Sequence, residues 1–190
     1  MAEKKHSPTE DALLALSASL FNQALACADY FEKKCGQSVT PEQFAQIVRE
    51  FVFVFIQVID RYSFEMYGHE RRCRITDAIV ALLGHLLLED YGKFIATDQM
   101  GHGITISRGI DPETLNSRNA EYARFASGRN AAEAEEAWKQ TTLVLAGHLS
   151  QVVRGIPPPD LKYVDLASNS LGYSLDALEL EEKLALLKDV

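Results

Sequence analysis

The stretch that decides the fold is residues 44–62, FAQIVREFVFVFIQVIDRY, where the run from Phe51 to Ile59 is apolar except for Gln57. β-Branched and aromatic residues crowd this run, and such residues favour strands. Length argues the other way. The apolar pattern continues from Phe44 through Tyr62 without a turn residue, longer than strands ordinarily run. A helix that is apolar on every side is one surrounded by other helices. The stretch therefore reads as a central rod, bracketed by Arg49-Glu50 and Asp60-Arg61, and its apolar part falls far short of the ~20 residues that cross a bilayer.

Working outward, Thr40-Pro41-Glu42-Gln43 is a start signal for that rod, and Ser7-Pro8-Thr9-Glu10 is the same signal earlier in the chain. In each, a hydroxyl caps the helix, proline fits the first turn, and the third helical residue reaches back to the cap amide. Leu13, Leu16, Leu20, Ala24, Ala28 and Phe31 follow at helical spacing, and Gly36 is a terminator. The short link to Thr40 makes the first two helices antiparallel neighbours. After a break at Gly68, a third helix over about 71–96 presents Ile75, Ile79, Leu82, Leu83, Leu86 and Leu87. Residues 98–110 read as a glycine-bearing loop in which Ile104-Thr105-Ile106-Ser107 can form a short extended piece. Helices over about 111–126 and 130–154 follow, the second closing at Gly155.

Pro157-Pro158-Pro159 stops helical propagation, because three successive residues lack a donor and fix φ. Residues 160–173 read as mixed loop. Residues 175–187 return to helical spacing, with Leu178, Leu180, Leu184 and Leu187 set against Glu179, Glu181, Glu182 and Lys183. The expectation is an all-α bundle of five to six helices over 1–155, then a linker and a C-terminal amphipathic helix over 156–190. Helices one, two, three and five have the lengths of a four-helix bundle.

Net charge is −8 over 190 residues, which disfavours a broad nucleic-acid or anionic-membrane footprint, since those partners are themselves negative. Arg71, Arg72 and Arg74 form a local basic run, but Glu70 and Asp77 flank it, and a salt-bridged helix start is the commoner meaning of such a cluster. Three cysteines without a CxxC pair, and no apolar leader, point to a cytoplasmic chain with reduced thiols.

No nucleophile elbow, P-loop or dinucleotide fingerprint occurs. The chemistry-bearing candidates are two Glu/His pairs four residues apart, Glu65 with His69 and His85 with Glu89. Residues four apart share a helix face, so two such pairs on adjacent helices can enclose a metal ion, with Asp60 and Asp77 as further oxygen ligands. Against this, the Glu-x-x-His spacing of di-iron bundles is absent, and Gly68 stands between Glu65 and His69. His148 is a lone helical histidine of the kind that can ligate haem but more often packs with one nitrogen satisfied. Cys73 lies between Arg72 and Arg74, neighbours that favour a thiolate, though no resolving cysteine accompanies it. Tyr62, Phe64 and Tyr67 form either a core rim or an exposed contact patch, and helical spacing favours the core. The tail helix, through Leu178, Leu180, Leu184 and Leu187, can dock on its own bundle, on a second copy or in another protein's groove.

Two functions follow as expectations. The first is a non-catalytic helical interaction or regulatory protein, a homo-oligomer or the binder of a protein partner, with no membrane and no nucleic acid. The second is a bundle that holds a metal, cofactor or small molecule, as an enzyme or otherwise; which cofactor is left unknown by the sequence.

Overall fold

A computed structural model describes residues 7–98, 110, 112–123, 131–156, 161–188 and 190, without the side chains of 88–98, 123 and 131–134. The described residues are all-α. Seven helical segments follow one another: α1 (Pro8–Cys35), α2 (Pro41–Tyr67), α3 (His69–Asp98), α4 (Pro112–Ala123), α5 (Ala131–Arg154), α6 (Leu161–Leu178) and α7 (Leu180–Ala185). Glu179 alone separates the last two. The expected extended piece at residues 104–107 lies outside the described residues.

Both start signals form as read. Ser7 Oγ accepts from the Glu10 amide at 3.2 Å while Glu10 Oε2 accepts from the Ser7 amide at 2.7 Å. Thr40 and Gln43 repeat the arrangement at 3.2 and 2.9 Å. Gln43 also donates from Nε2 to the Val152 carbonyl at 2.9 Å, so one side chain both caps α2 and satisfies an orphan carbonyl at the end of α5.

α2 is the central rod. Every residue from Glu50 to Gln57 is buried, and α2 packs against α1, α3, α4, α5 and α7. Burial on all sides explains how the run escapes its strand propensity: tertiary packing supplies more than the local preference of β-branched residues. At Gly68 the backbone adopts φ +76°, which glycine reaches without strain, and an added Cβ would meet nothing within 4 Å. The requirement there is conformational, and it folds α3 back onto α2. Thr76 donates to Asp60 Oδ1 across the pair at 3.1 Å.

The principal correction concerns the tail. Residues 161–173, expected as loop, form most of α6, which packs along α1 and α5. Tyr163, Leu166, Ala167, Leu171 and Leu178 are buried in the same core as Phe31 and Phe55. Phe31 and Tyr163 meet edge to face at 5.1 Å. The two serines on this face have partners: Ser170 donates back to the Leu166 carbonyl at 2.7 Å, and Ser174 Oγ lies 3.0 Å from Cys27 Sγ. Lys162 donates to the Cys35 carbonyl at 3.0 Å, and its amine lies 3.0 Å from where a Cβ on Gly36 (φ +78°) would stand. A cation at a helix C-terminus is favourable to the dipole. Helices α6 and α7 thus share the core of the helices before them.

Among the described residues, α1 alone is long and apolar enough to cross a membrane by length and composition. Here Leu16, Leu20, Ala24, Ala28 and Phe31 on that helix are buried, and it packs against α2, α3 and α6.

Candidate interaction surface

The structure separates the sequence-derived metal candidates. Glu65 stands near the end of α2 and His69 opens α3 beyond Gly68, so the pair does not share a helix. Both are exposed, and Glu65 interacts electrostatically with Arg61. His69 and His85 lie sixteen residues apart on α3, about 24 Å along its axis. With Asp60 level with Thr76, His85 is a further nine residues from the α2–α3 turn, about 13 Å away. The two pairs therefore do not converge on one ion. His85 is exposed, and the Glu89 side chain is outside the described residues. No group of three or more histidine, cysteine or carboxylate side chains comes together as a metal site among the described residues.

The tail leucines are sealed rather than presented. Leu178, Leu184 and Leu187 are fully buried and Leu180 nearly so. Docking back on the parent bundle is the arrangement formed, and Tyr67 fastens it by donating to the Leu184 carbonyl at 2.6 Å. The basic run is also engaged internally. Arg71 lies over the Tyr67 ring at 5.2 Å, Arg72 pairs with Asp60 at 3.3 Å, and Arg74 approaches Glu70 at 3.8 Å.

Of the three aromatics near the end of α2, Tyr67 packs against the core, and Tyr62 and Phe64 do not. Tyr62, Phe64 and Met66 are exposed, with Phe64 half uncovered. Beside Tyr62, the junction of α6 and α7 opens a cavity of about 320 Å³. Tyr62, Leu175 and Leu180 supply its apolar part, while Asp176, Glu179, Glu181 and Glu182 supply carboxylates. All four carboxylates are exposed, and none has an ion-pair partner among the described residues. Glu179 holds a left-handed conformation, φ +48°, at the break between the helices. Two consecutive α7 carboxylates, Glu179 and one carboxylate on α6 thus surround a hollow of mixed polar and apolar lining.

A second polar assembly, which sequence reasoning missed, lies between α2, α4 and α5. Glu50 is 7% exposed. Arg118 donates to it from Nε at 3.0 and 3.2 Å and from Nη2 at 2.9 Å. Arg118 Nη1 stands 3.5 Å from Glu121 Oε2, and the same oxygen is 2.7 Å from His148 Nε2. Burial opposes the Arg118 charge, but the hydrogen bonds and negative charge of Glu50 outweigh it and hold the guanidinium above its ordinary range. Tyr122 is wholly buried, with its ring 6.3 Å from that of His148. Burial first, then the Glu50 carboxylate, pushes its hydroxyl well above the ordinary range, so it stays protonated. That hydroxyl and Asn119 Oδ1 have no hydrogen-bond partner among the described residues. His148, a candidate haem ligand in the sequence, spends one ring nitrogen on Glu121. Glu50 and Arg118 are 68 residues apart, so no local spacing marks the pair.

The cysteines are free. Burial drives the Cys27 thiol up to about 11, partly offset by its contact with Ser174, so it remains an unreactive thiol at neutral pH.

Comparison with known protein families, curated proteins and solved structures gives no match.

Proposed function

We propose that the protein is a non-catalytic interaction or regulatory protein that binds its partner at the end of the bundle where α2, α6 and α7 meet. The observation that carries this reading is the hollow beside Tyr62, where Tyr62, Leu175 and Leu180 mix with four carboxylates that have no ion-pair partner among the described residues, one helical turn from exposed Met66. Clustered exposed apolar side chains with a polar rim are the anatomy of a protein-binding site. Free thiols, two of them buried, suit a reducing, cytoplasmic setting.

Site-specific photocrosslinking tests the surface. A photoreactive residue at position 62 or 66 should give a discrete product that the same group at exposed Leu14 or Leu143 does not. Equal labelling at all four positions removes the assignment. A product near twice 21.2 kDa identifies self-association as the interaction.

A second reading, a bundle that holds a small polar molecule, draws on the unpartnered Tyr122 hydroxyl and Asn119 carbonyl beside the Glu50–Arg118 pair. A ligand at one hundred times its Kd should stabilise the fold by about 2.7 kcal/mol. Screening polar metabolites by thermal shift against wild type and Tyr122→Phe tests it. A ligand whose effect survives that substitution lies elsewhere.

A further inference from the structure

We propose that the occupant of the α2–α6–α7 hollow is a lysine- or arginine-bearing amphipathic segment of another protein; this rests on the interaction surface proposed above. Charge and shape together select this occupant. Asp176, Glu179, Glu181 and Glu182 bring four carboxylates to one small opening, and no described cation pairs with any of them. Lys183, in the same stretch, does not line the opening. A partner with positive side chains would gain four rim interactions and a long-range attraction to a chain of net charge −8.

The apolar part refines the choice. A small inorganic cation would use the rim and leave exposed Tyr62 and half-buried Leu175 uncovered. About 320 Å³ lies at the low end of ligand-site volumes, ~300–1,000 Å³, and suits an anchoring side chain of a docked segment. A second copy placed symmetrically on this face would set the rim carboxylates against their own counterparts, because a two-fold interface opposes the same patch on both subunits. Nucleic acid and anionic lipid are repelled by the same rim.

The test uses the full chain and two 18-residue helical peptides with identical leucine spacing, one carrying lysine and one carrying glutamate at every polar position. Binding is read by fluorescence anisotropy at low and moderate salt. The lysine peptide should bind at least tenfold more tightly than the glutamate peptide, and salt should weaken it. The triple variant Glu179→Gln, Glu181→Gln, Glu182→Gln should lose at least tenfold, and Tyr62→Ala should also weaken binding. The control Glu135→Gln, Glu136→Gln, which removes exposed carboxylates on α5, should change it less than twofold; circular dichroism establishes that each variant is folded. Equal binding of both peptides, lost in Tyr62→Ala, overturns the partner chemistry but leaves the surface standing. No binding by either peptide, or lysine-peptide binding indifferent to Tyr62→Ala and weakened equally by the control, overturns surface and occupant together. A dimer by light scattering that Tyr62→Ala dissociates makes the occupant a second copy and sinks the proposal.

Discussion

Where α2, α4 and α5 meet, Glu50 is shut away from water and clasped by three hydrogen bonds from Arg118. Where α2, α6 and α7 meet, Asp176, Glu179, Glu181 and Glu182 are exposed, with no ion-pair partner among the described residues. The contrast follows from solvation. A carboxylate taken out of water costs several kcal/mol unless a well-placed cation and further hydrogen bonds offset the loss. A carboxylate left in water costs almost nothing, so it can stay bare until something arrives. The first region is committed to holding α4 on the central rod; the second has its charge unspent.

The sharpest way to break this comparison is Arg118→Ala. It strands a buried charge and should cost about 3–5 kcal/mol in denaturant unfolding, whereas Glu50→Leu combined with Arg118→Met should recover most of the loss. A single-variant cost below ~1 kcal/mol would mean that Glu50 is hydrated and the two regions are alike. Next in size is the packing that holds α7 in the core. Leu184→Ala should cost about 2–5 kcal/mol, because the side chain is fully buried; an effect like that of a surface leucine would return α7 to the status of an appendage.

Alkaline pH supplies a third, smaller test, since Cys27 is also a group closed off from water. Its thiol sits at about 11 when folded, against 9.0 as its ordinary value. The raised value favours the neutral thiol in the folded state, so its contribution is fully present below pH 9 and is lost as pH climbs to 11. The loss amounts to about 2–3 kcal/mol. Stability measured across that window should fall less steeply in Cys27→Ala than in wild type; parallel curves would show that the thiol is not shielded. The smallest effect belongs to the open rim. Glu181→Gln with Glu182→Gln should move stability by no more than ~0.5 kcal/mol while altering charge-dependent binding.

Much of the fold is legible before any coordinates. The reciprocal caps at Ser7/Glu10 and Thr40/Gln43 are local chemistry, and residues three apart carry the whole message. The surrounded character of α2 is written in a run with no polar face. α6 was not legible in the same way. Ser168, Asn169, Ser170 and Gly172 dilute its periodicity, and its core face includes Ser170 and Ser174, tolerated there because Leu166 and Cys27 satisfy them. The site was less legible still. Spacing alone put Glu65 and His69 on one face, but Gly68 parts their helices. Tyr62 and Phe64 have core spacing yet face outward, since the wrapping of α2 thins toward its end. The Glu50–Arg118 pair joins helices distant in sequence, and only packing brings them together.

The bond from Lys162 to the last carbonyl of α1 spans 127 residues. On the ribosome, α1 emerges ahead of the other described helices, and Lys162, at the start of the helix that covers one side of it, arrives only 127 residues after α1 ends. At ~10 residues per second, Phe31 and Cys27 wait on the order of ten seconds for Tyr163 and Ser174. A nascent chain stalled before residue 161 therefore displays an uncovered apolar flank, and chaperones or proteases that survey incomplete polypeptides would have something to recognise.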